Sequence, residues 1–73
     1  MPAIPVTKAQ MDLLYAIEDF GKRNPFPPIV EDVREGYDSK IVLDRLIALE
    51  KKGYIEIVRL RRRIRALILL CKP

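Results

Sequence analysis

Hydrophobic residues in the first part of the chain recur at the spacing of an α-helix, three and four positions apart. Thr7 stands just before this pattern, and Gln10 follows three residues later, so the two can form a capping box. We therefore predict a helix from Lys8 to Phe20 that ends at Gly21, which can adopt the left-handed conformation of a C′ residue. The predicted core face consists of Leu13, Leu14, Ala16, Ile17 and Phe20.

The same pattern predicts two further helices. Pro28 can occupy the first position of a short helix of about residues 28–35, since a missing N–H costs nothing there, and Gly36 would end it. A longer helix is predicted over about residues 39–52, with Asp38 or Ser39 as its N-cap and Gly53 after its end. The core positions of this third helix are Val42, Leu46 and Leu49.

The last part of the chain fits two structures. As a β-hairpin, it would place Ile55, Ile57 and Arg59 on one face of the first strand, and Ile64 to Leu70 would return as the second strand. As a helix, it would be basic and amphipathic, because five apolar positions also share one helical face. Those positions are Leu60, Ile64, Leu67, Ile68 and Cys71. Periodicity alone does not choose between these two structures.

Charge divides the chain into an acidic and a basic half. The 73 residues carry 14 basic and 10 acidic side chains, a size that fits a single domain. Residues 1–36 have a net charge of −2, whereas residues 37–73 have a net charge of +6. This asymmetry is typical of a surface that binds a polyanion. The strongest contribution comes from five arginines within seven residues: Arg59, Arg61, Arg62, Arg63 and Arg65.

Several classes of site are not expected. Cys71 is the only cysteine and histidine is absent, so neither a Cys/His zinc site nor an intramolecular disulfide can form within one chain. Catalysis usually needs a histidine, an activated thiol or paired carboxylates in a cleft, so we expect no enzyme and no cofactor. Neither a signal peptide nor a membrane span is apparent, and a cytoplasmic location is expected.

Several segments resemble a known family. One of them runs from Leu46 to Ile55 and includes Leu49 and Lys52-Gly53-Tyr54 at fixed spacing. This run looks like the end of the recognition helix and the start of the wing in winged helix-turn-helix domains. The likeness to LexA-type DNA-binding domains covers about residues 6–70. It rests on Thr7-Lys8-Ala9-Gln10, Pro27-Pro28, the segment 48–58 and Arg63-Ile64-Arg65-x-Leu67.

The resemblance implies an α+β winged helix-turn-helix fold of three helices and a β-hairpin. Residues 1–73 would form one domain, with an extended arm (1–5), a three-helix core (7–53) and a wing hairpin (54–70). There are departures from the family pattern. The stretch from Pro28 to Leu46 is shorter, and arginines occupy the predicted wing tip where glycine would ease a turn. We expect no protease domain after these residues, so self-cleavage is not carried over from the family.

Such a fold would bind double-stranded DNA, as a transcriptional regulator does. The third helix would lie in the major groove and the arginines of the wing would contact phosphates. About five neutralised phosphates would give a slope of log K against log salt near −4.5. The recognition-helix residues expected at the groove are Tyr37, Ser39, Lys40, Leu43 and Asp44.

Three further expectations concern partners. Residues 66–70 are apolar on both faces of a strand, so a second copy of the chain would cover the surplus face and form a homodimer, unless the arm Met1–Pro5 covers it. A protein-interaction module is an alternative function, supported by the acidic first half of the chain together with Ile41, Leu43 and Ile47, which are expected to be exposed on the third helix. The second alternative is a membrane-surface protein that uses residues 59–71 as a basic amphipathic helix, without inserting into the bilayer.

Overall fold

The structure, a computed structural model, describes residues 5–71 and consists of three helices followed by a β-hairpin. The helices are α1 (Lys8–Arg23), α2 (Val30–Val33) and α3 (Ser39–Lys51), and the strands are β1 (Ile55–Leu60) and β2 (Arg63–Leu69). The arm predicted for residues 1–5 lies outside the described residues except for Pro5. The α+β winged-helix order that the sequence predicts is therefore confirmed.

The start of α1 is as predicted. The Thr7 hydroxyl accepts a hydrogen bond from the Gln10 backbone N–H at 3.1 Å, and the Gln10 side chain accepts one from the Thr7 N–H at 3.1 Å. This reciprocal pair satisfies two of the donors that every helix start leaves without intrahelical partners. The capping box therefore fixes where the helix begins.

The predicted end of α1 is wrong, because the helix continues through Gly21 to Arg23. Its additional turn is supported by an ion pair between Asp19 and Arg23 at 2.8 Å. Asn24, which precedes a proline and is extended, donates both its backbone N–H and its side-chain amide to the Phe20 carbonyl. These contacts offset the cost of a glycine within a helix, which is about 1 kcal/mol.

The second helix is also shorter than predicted. It forms a single turn with Ile29 as its N-cap, so Pro28 lies before the helix rather than at its first position. The Pro28 carbonyl instead accepts a hydrogen bond from the Leu67 N–H of β2 at 2.8 Å. Glu35 and Gly36 both have positive φ angles, which end the helical path before α3 begins.

The third helix is capped at both ends, by a side chain at its start and by a Schellman motif at its end. Asp38 caps its start by accepting from the Lys40 N–H at 2.8 Å. At its end, Gly53 adopts a φ of +86°, and the N–H of Tyr54 donates to the carbonyl of Leu49 at 3.1 Å. The chain then passes directly into β1, which packs against α3.

The two strands form an antiparallel hairpin, so the helical alternative for residues 59–71 is wrong. Ile57 lies opposite Leu67, and the register shifts between Val58 and Arg59, where β2 contributes one more residue than β1. That β-bulge bends the hairpin and increases its twist. Arg61 and Arg62 form the two-residue turn at the tip.

One hydrophobic core joins the helices to the inner face of the hairpin. The most deeply buried side chains come from α1, α2, α3 and both strands, and include Leu14, Val33, Leu46, Ile55 and Leu67. None of the described residues is a buried polar or charged residue. Within residues 5–71, no helix combines the length and the apolar character that crossing a bilayer requires.

Candidate nucleic-acid interface

The first turn of α3 presents polar groups to solvent. Asp38 caps the helix, and Ser39 and Lys40 follow it with exposed side chains. Asp44 is exposed one turn later, whereas Leu43 is half-buried. Of the residues predicted at the groove, four are therefore exposed on this helix or just before it, and Leu43 is less accessible than the prediction requires.

The fourth exposed residue, Tyr37, contacts Arg45, a residue that was not among those predicted from the sequence. The guanidinium carbon of Arg45 lies 5.3 Å from the centre of the Tyr37 ring, in a cation–π arrangement. Arg45 lies on α3, and Tyr37 lies in the turn before it. The only signal in the sequence was a basic residue next to Asp44, which does not reveal a contact across eight positions.

The tip of the wing has an uncommon backbone. Arg61 and Arg62 have φ angles of +52° and +69°, so both lie in the left-handed region, as the central residues of a type I′ turn do. For a residue other than glycine, this conformation costs about 1–2 kcal/mol. Both side chains are exposed. The tip therefore keeps two arginines at positions where asparagine and glycine are favoured.

Two more arginines follow on β2. Arg63 and Arg65 are exposed, and Arg65 falls where the register shifts. No carboxylate within residues 5–71 forms an ion pair with any of the four arginines at positions 61, 62, 63 and 65. Their charges are therefore not neutralised by a neighbour in the described part of the chain, which suits a surface that attracts phosphates.

Arg59 differs from the other arginines of the cluster. Its Nη1 and Nη2 atoms donate to the two carboxylate oxygens of Glu50, at 2.8 and 2.9 Å. The hydrogen bond from Arg59 lowers the pKa of the Glu50 carboxyl below its ordinary value; partial burial opposes this change, and the hydrogen bond from the Ile57 N–H adds to it. The structure thus pairs Arg59 of β1 with Glu50 of α3, whereas the other four arginines of the cluster have no acidic partner within residues 5–71.

The outer surface also has exposed apolar side chains. Val58, Leu60 and Leu70 are 37%, 53% and 57% exposed, and they belong to the hairpin and the residue directly after it. Ile41 is 48% exposed on α3. Among residues 5–71, no three acidic or cysteine side chains converge as a bound metal ion would require.

Comparison with known proteins agrees with this geometry. The family model described as "LexA DNA binding domain" matches residues 3–64. The LexA repressors of Thermotoga petrophila and Thermotoga maritima are each 42% identical to this chain over 53 residues. That stretch covers 70% of this chain and 27% of each repressor, so the chain corresponds to about a quarter of the length of these relatives.

Proposed function

The chain belongs to the LexA DNA-binding-domain family, and we propose that it binds double-stranded DNA and regulates transcription in the cytoplasm. In this proposal α3 enters the major groove with its N-terminal turn, and the hairpin serves as a wing along the phosphate backbone. The matched family is one of DNA-binding domains, so the proposed role is binding rather than catalysis.

The observation that supports the proposal most strongly is the charge of the wing. Four exposed arginines lie within five residues at its tip and on β2, and none has an acidic partner within residues 5–71. Two of them also occupy a strained turn, where a smaller residue would be more stable. The presence of arginine at these two positions is consistent with a need for positive charge in binding and is not explained by folding.

On α3, Lys40 and Ser39 are the proposed donors to base edges or phosphates, with Asp44 able to accept from a cytosine amino group. Tyr37 is proposed to donate to a phosphate, and its stacking on Arg45 would hold it in place. Since the guanidinium of Arg45 lies on the same ring, we propose Arg45 as an additional phosphate contact. These contacts would supply modest sequence preference, whereas the wing would supply most of the affinity.

The test is a salt titration on a duplex that the protein itself selects from a random-sequence pool. Because Arg59 is paired with Glu50, four arginines of the wing remain to neutralise phosphates. They should contribute about −3.6 to the slope of log K against log salt concentration. That contribution corresponds to a loss in affinity of about 150-fold between 50 and 200 mM salt. The variant Arg61/Arg62/Arg63→Ala should reduce the magnitude of the slope by about 2.7.

A matched control removes the same charge elsewhere. Lys8/Lys22/Arg23→Ala also deletes three positive charges, but from α1, and should leave the slope nearly unchanged. If the two triple variants lose the same affinity and the same slope, binding depends on net charge alone and the wing assignment is wrong. If the wild type selects no sequence and binds no duplex at low salt, the proposed function is wrong.

A protein-docking module is the second candidate, and the exposure of Ile41 on α3 favours it. An exposed apolar side chain on the face of α3 that would meet the DNA groove is at least as well suited to contact with another protein. This second candidate would be favoured if the wild type binds no duplex at 50 mM salt but binds a protein partner through a surface that includes Ile41.

We also propose that the protein acts as a homodimer. Val58 and Leu60 lie two positions apart on β1 and form a small exposed apolar patch near the tip of the hairpin, and Leu70 is exposed at its other end. The surplus face predicted for residues 66–70 is mostly covered within one copy, because Ala66 and Leu67 are buried and Ile68 and Leu69 are half-buried. Two-fold related copies can cover identical patches on each other, and such a dimer presents two copies of α3 to the halves of a palindromic duplex.

A further inference from the structure

A bidentate ion pair links the end of the recognition helix to the wing. Glu50 lies in the last turn of α3 and Arg59 near the end of β1, and their two hydrogen bonds measure 2.8 and 2.9 Å. We infer that Glu50 is a positioning residue: through Arg59 it sets the angle at which the wing leaves α3. This inference rests on the proposed DNA-binding function.

Both partners also bind the backbone of one residue between them. The Ile57 N–H donates to a carboxylate oxygen of Glu50 at 3.3 Å, and Arg59 donates to the Ile57 carbonyl at 3.3 Å. The Ile57 side chain is buried in the core, at 5% exposure. The ion pair therefore attaches the strand to the helix at a point that the core already fixes, and it covers part of the free edge of β1.

The ion pair lies at the point along the hairpin where it can determine the direction of the tip. The register shifts between Val58 and Arg59, and such a bulge is where a hairpin bends and twists most. Arg59 is the first residue of β1 beyond this point, and Arg61 and Arg62 follow directly at the turn. Holding Arg59 against α3 thus fixes the direction in which the arginines of the tip point.

Electrostatics alone and a positioning role predict opposite changes in DNA affinity when the charge of Glu50 is removed. A carboxylate close to a DNA-binding surface repels phosphates, so its removal should strengthen binding by simple electrostatics. If Glu50 positions the wing, its removal should weaken binding despite the more favourable charge. The Arg59 side chain is exposed and that of Glu50 is half-buried. Ion pairs that solvent can reach contribute little to folding, so the effect should be seen in binding more than in stability.

The experiment measures duplex affinity by fluorescence anisotropy at constant salt, with the duplex that the wild type selects. Glu50→Gln should bind about tenfold more weakly, the size expected for groups that act as one unit. Glu56→Gln is the matched control: it removes the same charge from β1, the strand with which Glu50 pairs, and the side chain of Glu56 makes no hydrogen bond or ion pair within residues 5–71. This control should bind as tightly as the wild type or more tightly.

The double variant Glu50→Gln/Arg59→Gln separates charge from position. Its net charge equals that of the wild type, so a purely electrostatic account predicts wild-type affinity. If the ion pair positions the wing, the double variant should stay about as weak as Glu50→Gln. Wild-type affinity in the double variant, or unchanged or tighter binding by Glu50→Gln, would overturn the inference.

A second readout does not depend on DNA. Residual dipolar couplings of backbone amides report the orientation of the hairpin relative to α3, and thermal unfolding reports whether each variant folds. Glu50→Gln should keep the couplings within α1 and α3 but change those of β1 and β2 relative to them. A wild type without duplex binding contradicts the proposed function, whereas unchanged couplings in Glu50→Gln contradict the positioning role.

Discussion

At single-residue scale, the proposed DNA contacts of the wing tip are opposed to its stability. Arg61 and Arg62 have positive φ angles, which suit asparagine and glycine far better than arginine. A protein selected for folding alone would not keep two like charges side by side in a strained turn. Because both side chains are exposed, packing does not explain their presence.

The variant Arg61→Asn/Arg62→Gly should therefore be more stable and bind DNA less well. Relief of the left-handed strain should raise the free energy of unfolding by roughly 1–2 kcal/mol, as measured by urea denaturation. The loss of the two proposed phosphate contacts should lower the magnitude of the salt slope by about 1.8. A variant that is less stable, or one that binds as well as the wild type, would show that the tip arginines have another role.

At the scale of secondary-structure elements, the molecule depends on contacts between helix ends and neighbouring segments. The end of α3 carries Glu50, whose carboxylate pairs with β1, and the segment before α2 carries the Pro28 carbonyl, which pairs with β2. Both connections secure the hairpin to the helical part along its two edges. This arrangement explains how a two-stranded sheet, marginal by itself, keeps a fixed position.

The pairing of Glu50 should make part of the stability dependent on pH. Its pKa is lowered in the folded protein, chiefly by the hydrogen bond from Arg59, so its contribution is present above pH 4.5 and is lost as the pH falls through the folded value. The difference in unfolding free energy between wild type and Glu50→Gln should thus shrink between pH 7 and pH 3. A difference that stays constant over this range in urea denaturation would contradict the pairing.

At the scale of the whole molecule, the core uses one face of the hairpin and leaves the other uncovered. Ile55, Ile57 and Leu67 are buried against the helices, whereas Val58 and Leu60 are exposed on the outside. Exposed apolar residues that cluster in this way are typical of contact surfaces. In the proposed homodimer, this surface is the contact between copies.

Sedimentation velocity over a range of concentrations tests that dimer. The wild type should approach the dimer at high micromolar concentration, and Leu60→Lys should remain monomeric because it places charge in the apolar patch. Ile41→Lys is the control, since Ile41 is similarly exposed, at 48% against 53% for Leu60, but lies on α3. A wild type that sediments only as a monomer, or equal effects of the two substitutions, would contradict the proposed contact.

The sequence by itself determined the local structure of the helical part. Thr7 and Gln10 identify the start of α1 because a capping box needs only residues three positions apart. Gly53 likewise marks the end of α3, since few other residues adopt its positive φ. The apolar spacing of Leu13, Ile17 and Leu46 places each residue in the core, because helical periodicity alone defines which side is apolar.

The family resemblance implied a hairpin for the C-terminal segment, but only the tertiary structure decided between the two patterns that the segment fits and showed which arginine is paired. Residues 59–71 fit a helix and a strand equally well by pattern, and the hairpin prevails because Ile57 and Leu67 pack on the helices while the Pro28 carbonyl bonds to Leu67. The partner of Arg59 is likewise nine positions away, on α3. Such contacts depend on how elements pack in space, and no local pattern in the chain encodes them.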